Sequence, residues 1–192
     1  KNPISRIEVA SAGGYLSYKN IADKATVAGV EVEVRKNLFV RPLSSAANGM
    51  NKLSFGLNGS YIYTNAKMPL ATVTTGSQLE GAAPWIANFD LSHNFTKGNH
   101  SFINTLVFNY VSDKIYTIGT QGYQDIIEQG MMMLDFVSQA KLNKYVSLTL
   151  KARNLLNPSY KLSRKANESG EKVVLSDYKK GINISLGVSC TF

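Results

Sequence analysis

The sequence predicts an all-β fold of long antiparallel strands, because apolar residues recur with a period of two and the alternating runs are long. The period is clearest from Ile182 to Phe192, where apolar and polar residues alternate without a break. A period of two places successive side chains on opposite faces of a strand. The sequence has no apolar run of the ~20 residues that a transmembrane helix needs. It also has no segment with a convincing helical period.

About eight strands are expected from this alternation. Charged residues such as Glu31, Glu33 and Lys151 stand in the middle of alternating runs, so one face of these strands must be in water. The expected strands cover approximately residues 4–12, 30–34, 53–63, 86–95, 102–112, 132–142, 146–153 and 181–192.

The composition narrows the class of protein. The chain has 192 residues, 44% of them hydrophobic and 18% charged, so a large apolar surface has to be covered. The net charge of +8 is spread over turns and over residues 161–180, where Glu171 and Asp177 are mixed in. This favours solvated loop charge over a nucleic-acid surface, and no nucleic-acid partner is expected. Cys190 is the single cysteine and is interpreted as a small apolar residue of a strand.

Two architectures share this alternation. A soluble sandwich or barrel buries its apolar face, whereas an outer-membrane barrel turns that face to lipid and keeps a polar lumen. Several runs reach about 10 to 12 residues, the length that crosses a bilayer at a tilt of about 45°.

The connections also favour the membrane barrel. If the last strand ends in the periplasm, the long connections are external and the tight turns are periplasmic, as in outer-membrane barrels. One connection, residues 37–51, breaks the rule because it should be periplasmic but is not short. The external connections are then residues 65–84, 113–130 and 155–177, and the periplasmic turns are residues 96–99 and 143–144.

Aromatic residues give the third argument for a transmembrane antiparallel up-and-down β-barrel. With the orientation above, they fall on outward positions near both membrane edges, the pattern of two aromatic girdles. The expected periplasmic girdle holds Phe55, Phe95, Phe102 and Phe192, and the expected external girdle holds Tyr61, Tyr63, Trp85, Tyr110 and Tyr178.

Four stretches carry a family resemblance. They are the strand around Gly29-Val30-Glu31, the Gly81-x-x-Pro84 segment before Trp85, the Asn154-Leu155 segment that ends at Tyr160, and the terminal strand closed by Phe192. In this order, the chain resembles the C-terminal part of the barrel of TonB-dependent outer-membrane receptors, over essentially its whole length. The sequence of residues 83–91 most resembles that of family members from Bacteroidota.

The resemblance implies a barrel of about 22 strands with a plug domain in its lumen. It also implies a short segment that contacts TonB. Residues 1–192 are accordingly interpreted as one segment, the C-terminal portion of such a barrel without the plug. The lack of an initiator Met and of a signal peptide agrees with a fragment.

The function implied by the resemblance is active, TonB-dependent uptake of a scarce solute such as a siderophore, a glycan or another nutrient. The chain would be a multi-pass protein of the cell outer membrane that supplies wall and external loops. The implied partners are the lipid bilayer and lipopolysaccharide, the rest of the barrel and its plug, TonB, the solute, and the outer-membrane assembly machinery, which would read Phe192 as a signal.

No enzyme, cofactor or metal site is expected from the residues. His93 and His100 are the only histidines, and no cluster of His, Cys, Asp and Glu has the spacing of a metal site. Contact with a ligand is expected only in the external loops, where Tyr116, Tyr123, Gln124 and Lys161 can stack or form hydrogen bonds. The favoured interpretations of these residues are nevertheless that the tyrosines anchor the membrane interface and that the basic residues meet lipopolysaccharide.

Two other functions remain open at the level of sequence. The first is a self-contained eight-stranded outer-membrane barrel with an anchoring or adhesion role, whose interior would be filled by side chains. The second is a soluble ligand-binding barrel, for which the aromatic positions would be a coincidence.

Overall fold

The computed structural model describes residues 1–9, 15–43, 49–66, 78–120, 123–166 and 170–191. None of these residues forms a helix that is long and apolar enough to cross a membrane. They form thirteen β-strands: β1 Ile4–Val9, β2 Tyr15–Asn20, β3 Ala25–Pro42, β4 Gly49–Ala66, β5 Trp85–Lys97, β6 His100–Val111, β7 Lys114–Thr117, β8 Ile126–Glu128, β9 Met131–Lys141, β10 Val146–Arg153, β11 Ser159–Lys165, β12 Lys172–Lys179 and β13 Asn183–Cys190.

Seven of the strands form one antiparallel sheet, which we call the wall. Its order is β13-β10-β9-β6-β5-β4-β3, so strands that follow one another along the chain are neighbours in the sheet. Two hairpins interrupt the sequence of wall strands, β7–β8 between β6 and β9, and β11–β12 between β10 and β13. These four strands form a second sheet in the order β12-β11-β8-β7. The predicted all-β antiparallel fold is confirmed, as an open sheet whose edge strands are β3 and β13.

The number of wall strands differs from the prediction of about eight. The N-terminal segment, expected as a wall strand over residues 4–12, is β1, which pairs with β2 in a separate two-stranded sheet. β1 and β2 have six residues each. At a rise of about 3.3 Å per residue and a tilt of about 45°, six residues cannot cover an apolar band about 25 Å tall.

The predicted connection that was too long for a periplasmic turn, residues 37–51, is short in the structure. β3 continues to Pro42 and β4 begins at Gly49, with Pro42 opposite Met50, so only residues 43–48 separate the two strands. The turn between β5 and β6 is the pair Gly98-Asn99, and Gly98 has a φ of 57°, which glycine tolerates best. Short turns therefore lie at one end of the wall and the long connections at the other.

The register divides the wall into two chemically different faces. Directly paired residues share a face, and Val30, Tyr61 and Trp85 are paired in succession across β3, β4 and β5. We call their side the apolar face. The opposite, polar face carries a hydrogen-bonded series in which Asn88 Nδ2 donates to Asn58 Oδ1 at 3.3 Å and Asn58 Nδ2 donates to Glu31 at 2.6 Å.

The apolar face is exposed across the wall. Val32 and Leu186, in the two edge strands, are 61% and 71% exposed, and Leu57, Trp85, Phe102, Met132 and Leu150 on the strands between them are exposed too. Soluble monomers rarely expose contiguous apolar patches beyond a few hundred Å². A sheet with a continuous apolar face and a polar face fits contact with lipid on one side and a wet lumen on the other.

The segment after β10 shows how the chain leaves the wall. Asn154 and Asn157 have φ values of 59° and 45°, in the left-handed region that asparagine tolerates better than most residues. Asn154 Nδ2 donates to the carbonyl oxygen of Gly181 at 2.7 Å, and Asn154 N donates to Asp135 Oδ1 at 2.8 Å. Asn157 Oδ1 accepts from Gly181 N at 3.1 Å. These bonds tie the departing end of β10 to the returning chain before β13.

We expect Asn154→Ala to destabilise this junction by about 2 kcal/mol, since it removes a side-chain hydrogen bond and the tolerance for a positive φ. Asn154→Gly is the matched control, because it keeps the backbone tolerance and removes only the side-chain bond. The measurement is the unfolding midpoint of the whole protein in urea. Equal midpoints for the two variants would show that the backbone conformation contributes nothing.

Candidate functional site

The long-loop end of the wall carries a compact structure that we call the external layer. It consists of the β1–β2 hairpin, residues 78–84 and the β7-β8-β11-β12 sheet. Its core is formed by Ile21, Ile115 and Ile118, each at most 3% exposed, with Ile7, Leu79 and Ile127 packed against them. The hydrophobic core among the described residues thus lies in this layer and not in the wall.

Backbone bonds connect the parts of the external layer. Ile7 and Ile118 form a parallel bridge, and Ile118 N donates to the carbonyl oxygen of Arg6 at 3.0 Å. Gly81 N donates to the carbonyl oxygen of Ile115 at 2.8 Å. The β1–β2 hairpin and residues 78–84 are therefore held on β7.

A tight loop follows β7 and requires a glycine. Asp125 is 2% exposed and accepts a hydrogen bond from Gly119 N at 2.7 Å. A Cβ atom on Gly119 would lie 2.1 Å from the carbonyl oxygen of Tyr123, so no larger residue fits without a backbone shift. Gly119 therefore allows the backbone at Tyr123 to pack directly against it.

Four ion pairs cross the external layer. The Arg164 guanidinium pairs with Glu8, and their side chains are only 16% and 17% exposed. Arg6 pairs with Glu80, whose carboxylate also accepts from Arg6 N. The other two pairs are Lys114 with Glu128 and Lys161 with Asp177, both at 3.1 Å. The hydrogen bond from Lys161 lowers the pKa of Asp177 below its usual value.

Arginine side chains lie over two of the tyrosines that the sequence analysis assigns to ligand contact. The Arg6 guanidinium carbon lies 4.3 Å from the ring centroid of Tyr116, and that of Arg164 lies 5.5 Å from the ring of Tyr123. Tyr116 is half-buried, whereas Tyr123 is 41% exposed. Gln124 is half-buried beside it. Of the four candidates, Tyr123 offers the most accessible ring, and Lys161 is occupied by Asp177.

Tyr178 requires a correction. The sequence predicts it among the aromatic residues of the wall, but it lies in β12, opposite Tyr160, in the four-stranded sheet. The two rings are 5.0 Å apart at their centroids. Burial, followed by the nearby Glu128 carboxylate, raises the pKa of Tyr160 to about 12, so its phenol stays neutral at physiological pH. The cause of the difference is that β11 and β12 form a hairpin in the four-stranded sheet, and β12 extends to Lys179 and so includes Tyr178.

Seven of the other eight predicted girdle residues lie on the apolar face of the wall. Phe102 is directly opposite Phe95, and Trp85 opposite Tyr61, with ring centroids 6.5 Å and 4.5 Å apart. Phe192 lies outside the described residues. Of the predicted girdle residues on this face, Phe95 and Phe102 lie toward the short-turn end, Tyr61, Tyr63, Trp85 and Tyr110 lie toward the long-loop end, and Phe55 lies midway, opposite Leu91 at the centre of β5.

Sequence reasoning missed the contribution of the N-terminal hairpin. Arg6, Glu8 and Tyr18 belong to the external layer, and Tyr15 and Tyr18 are 69% and 68% exposed. Their partners are far away along the chain, so no local pattern could reveal the contacts. One signal was present: Gly13-Gly14 stands between two short alternating segments, which is typical of a hairpin.

Metal ligation has no support in the described part of the chain. No group of three His, Cys, Asp or Glu side chains converges there.

The fold and the faces of the wall define a class of protein, the outer-membrane β-barrels, and a comparison with protein families then gives the family. The family described as TonB dependent receptor-like, beta-barrel matches residues 1–155. The chain therefore belongs to the TonB-dependent receptor β-barrel family, a family of outer-membrane receptors and transporters rather than enzymes. The matched residues include β1 to β10. No curated protein and no solved structure matches the chain significantly.

We expect Arg164→Met to loosen the external layer, because it leaves the Glu8 carboxylate partly buried without its cation and removes the cation from the ring of Tyr123. The cost is about 2 to 3 kcal/mol. The measurement is amide hydrogen exchange of Ile118, whose N–H binds β1. Arg35→Met is the matched control, since it removes an exposed ion pair with Glu33, which solvent screens. Unchanged exchange at Ile118 in Arg164→Met would contradict the assignment.

Proposed function

We propose that this chain supplies wall and extracellular ligand-contact surface to a receptor that takes up a scarce solute, such as a siderophore, a glycan or another nutrient, in a TonB-dependent manner. The observation that carries the proposal is the combination of the family match with a wall whose long-loop end bears a folded layer. Residues 1–192 form a single segment of the barrel in this proposal. The plug and the segment that contacts TonB belong to the rest of the receptor.

The orientation follows from the connections. Outer-membrane barrels have short periplasmic turns and longer extracellular loops, so we assign the external layer to the cell exterior. The aromatic residues toward the two ends of the apolar face then act as interface girdles. Phe192 is assigned the role of assembly signal. The basic residues of the external layer that are not paired within it meet lipopolysaccharide.

The arrangement of the external layer supports ligand contact at its tyrosines. Tyr18 and Tyr123 present exposed rings, while Arg6 and Arg164 lie beside them in ion pairs with Glu80 and Glu8. Rings held by neighbours lose little conformational entropy when a ligand stacks on them. Planar or sugar-like solutes gain most from such a surface.

The open wall speaks against the second candidate, a self-contained eight-stranded barrel with an anchoring role. Closure would require the edge strands β3 and β13 to pair, and they do not. In lipid, unpaired strand edges cost several kcal/mol per group, so other strands of the receptor must cover them. The native polypeptide is therefore expected in the outer-membrane fraction at several times the 21.0 kDa of this chain. A native product near that mass in the same fraction would favour the small barrel.

Uptake is tested in cells that carry or lack the whole receptor, grown on a panel of iron chelates and oligosaccharides as limiting nutrients. The receptor should be required for growth on one class of solute, and only while TonB is functional. Tyr18→Ala and Tyr123→Ala should each weaken binding of that solute about tenfold, or ~1.4 kcal/mol. Tyr145→Ala is the matched control, since Tyr145 is 53% exposed at the short-turn end. Growth that is independent of receptor and TonB on every solute would contradict uptake.

A further inference from the structure

Four polar residues interrupt the apolar face of the wall. Asn51 of β4, His93 of β5, Asn104 of β6 and Ser138 of β9 lie on that face, with His93 directly opposite Asn104 and Asn104 directly opposite Ser138. We call them the polar stripe. Polar side chains on a lipid-facing surface are costly, and a group of them marks a functional site by default.

The polar stripe lies inside the apolar band, close to its short-turn end. His93 and Asn104 stand four residues from Lys97 and His100, the last pair before the turn. At a tilt of about 45°, four residues correspond to roughly 9 Å along the membrane normal. Leu91, Leu106 and Phe136 form the apolar row on the long-loop side of His93 and Asn104, and Phe95 and Phe102 continue the row of Asn51 on the short-turn side.

The hydrogen bonds within the polar stripe engage the side-chain oxygens of both asparagines. His93 Nε2 lies 2.8 Å from Asn51 Oδ1, and because that oxygen only accepts, Nε2 donates. Ser138 Oγ donates to Asn104 Oδ1 at 2.7 Å. The Nδ2 groups of Asn51 and Asn104 donate to no acceptor among the described residues. The stripe therefore offers amide N–H donors to whatever lies against it.

The charges on the same face are positive. Lys36 lies opposite Phe55 and Arg41 opposite Asn51, which places both on the apolar face at the β3 side of the stripe. The apolar face of the described wall strands carries no Asp or Glu. An occupant of this surface gains from negative charge.

We propose that the polar stripe, with Lys36 and Arg41, binds the headgroup region of a glycerophospholipid in the periplasmic leaflet. The ester carbonyl and phosphate oxygens of such a lipid accept hydrogen bonds and do not donate, which complements the free amide donors. The phosphate meets Lys36 and Arg41.

The test uses the whole receptor purified from outer membranes in mild detergent. Native mass spectrometry measures retained glycerophospholipid, and then the uptake of added phosphatidylglycerol after delipidation. We expect bound lipid in the unaltered receptor and at least a tenfold loss in Asn51→Leu/Asn104→Leu. Asn109→Leu is the matched control, because Asn109 lies in β6 on the polar face, opposite Asn88.

Several outcomes of this test would contradict the proposal. Equal lipid retention in the stripe variant and in the control overturns the proposal, as does an unaltered receptor that binds no phosphatidylglycerol. A receptor dimer that becomes monomeric in the stripe variant without a change in lipid assigns the surface to a protein contact instead. If the stripe variant does not reach the heat-modifiable folded form, Lys36→Gln/Arg41→Gln replaces it, and unchanged binding of phosphatidylglycerol then overturns the proposal.

Discussion

The hydrogen-bonding requirement of the backbone inside a bilayer is the constraint on which the rest of this structure depends. No water is present there to satisfy an N–H or C=O group, so each wall strand needs a neighbour on both sides. The consequence is visible wherever the chain leaves the wall. Ser112 N donates to the carbonyl oxygen of Trp85, and Leu155 N donates to that of Leu134. The wall ladder is thereby extended past the ends of β6 and β10 before the chain turns into the external layer.

The same constraint explains why the hydrophobic core lies outside the wall. The apolar side chains of the wall face lipid, which covers them in place of a protein layer. The external layer is in water and has to bury its own apolar residues, and it does so around Ile21, Ile115 and Ile118. The two parts are therefore stabilised differently, the wall by strand pairing in lipid and the external layer by the hydrophobic effect.

Much of the wall could be predicted from the sequence, because its two faces meet different solvents along their whole length. β10, over Val146–Arg153, coincides with its predicted range, and the register places seven of the nine predicted girdle residues on one face. The external layer could not be predicted in this way. Glu8 and Arg164 meet across most of the chain, and Tyr178 follows the path of a hairpin that has no simple alternation. Such contacts depend on how distant segments pack.

The ion pairs of the external layer bear on how the receptor recognises its solute. Partly buried pairs such as Arg164 with Glu8 add little net stability, because desolvation offsets most of the Coulomb attraction. Their effect is geometric: each guanidinium is fixed by a carboxylate on one side and lies over a tyrosine ring on the other. A ligand that stacks on Tyr123 meets a ring whose position is already determined, so less ordering entropy opposes binding. The paired charged residues lie far apart in the sequence, so the tyrosines come together only in the folded layer. Recognition of the solute therefore depends on the folding of this layer.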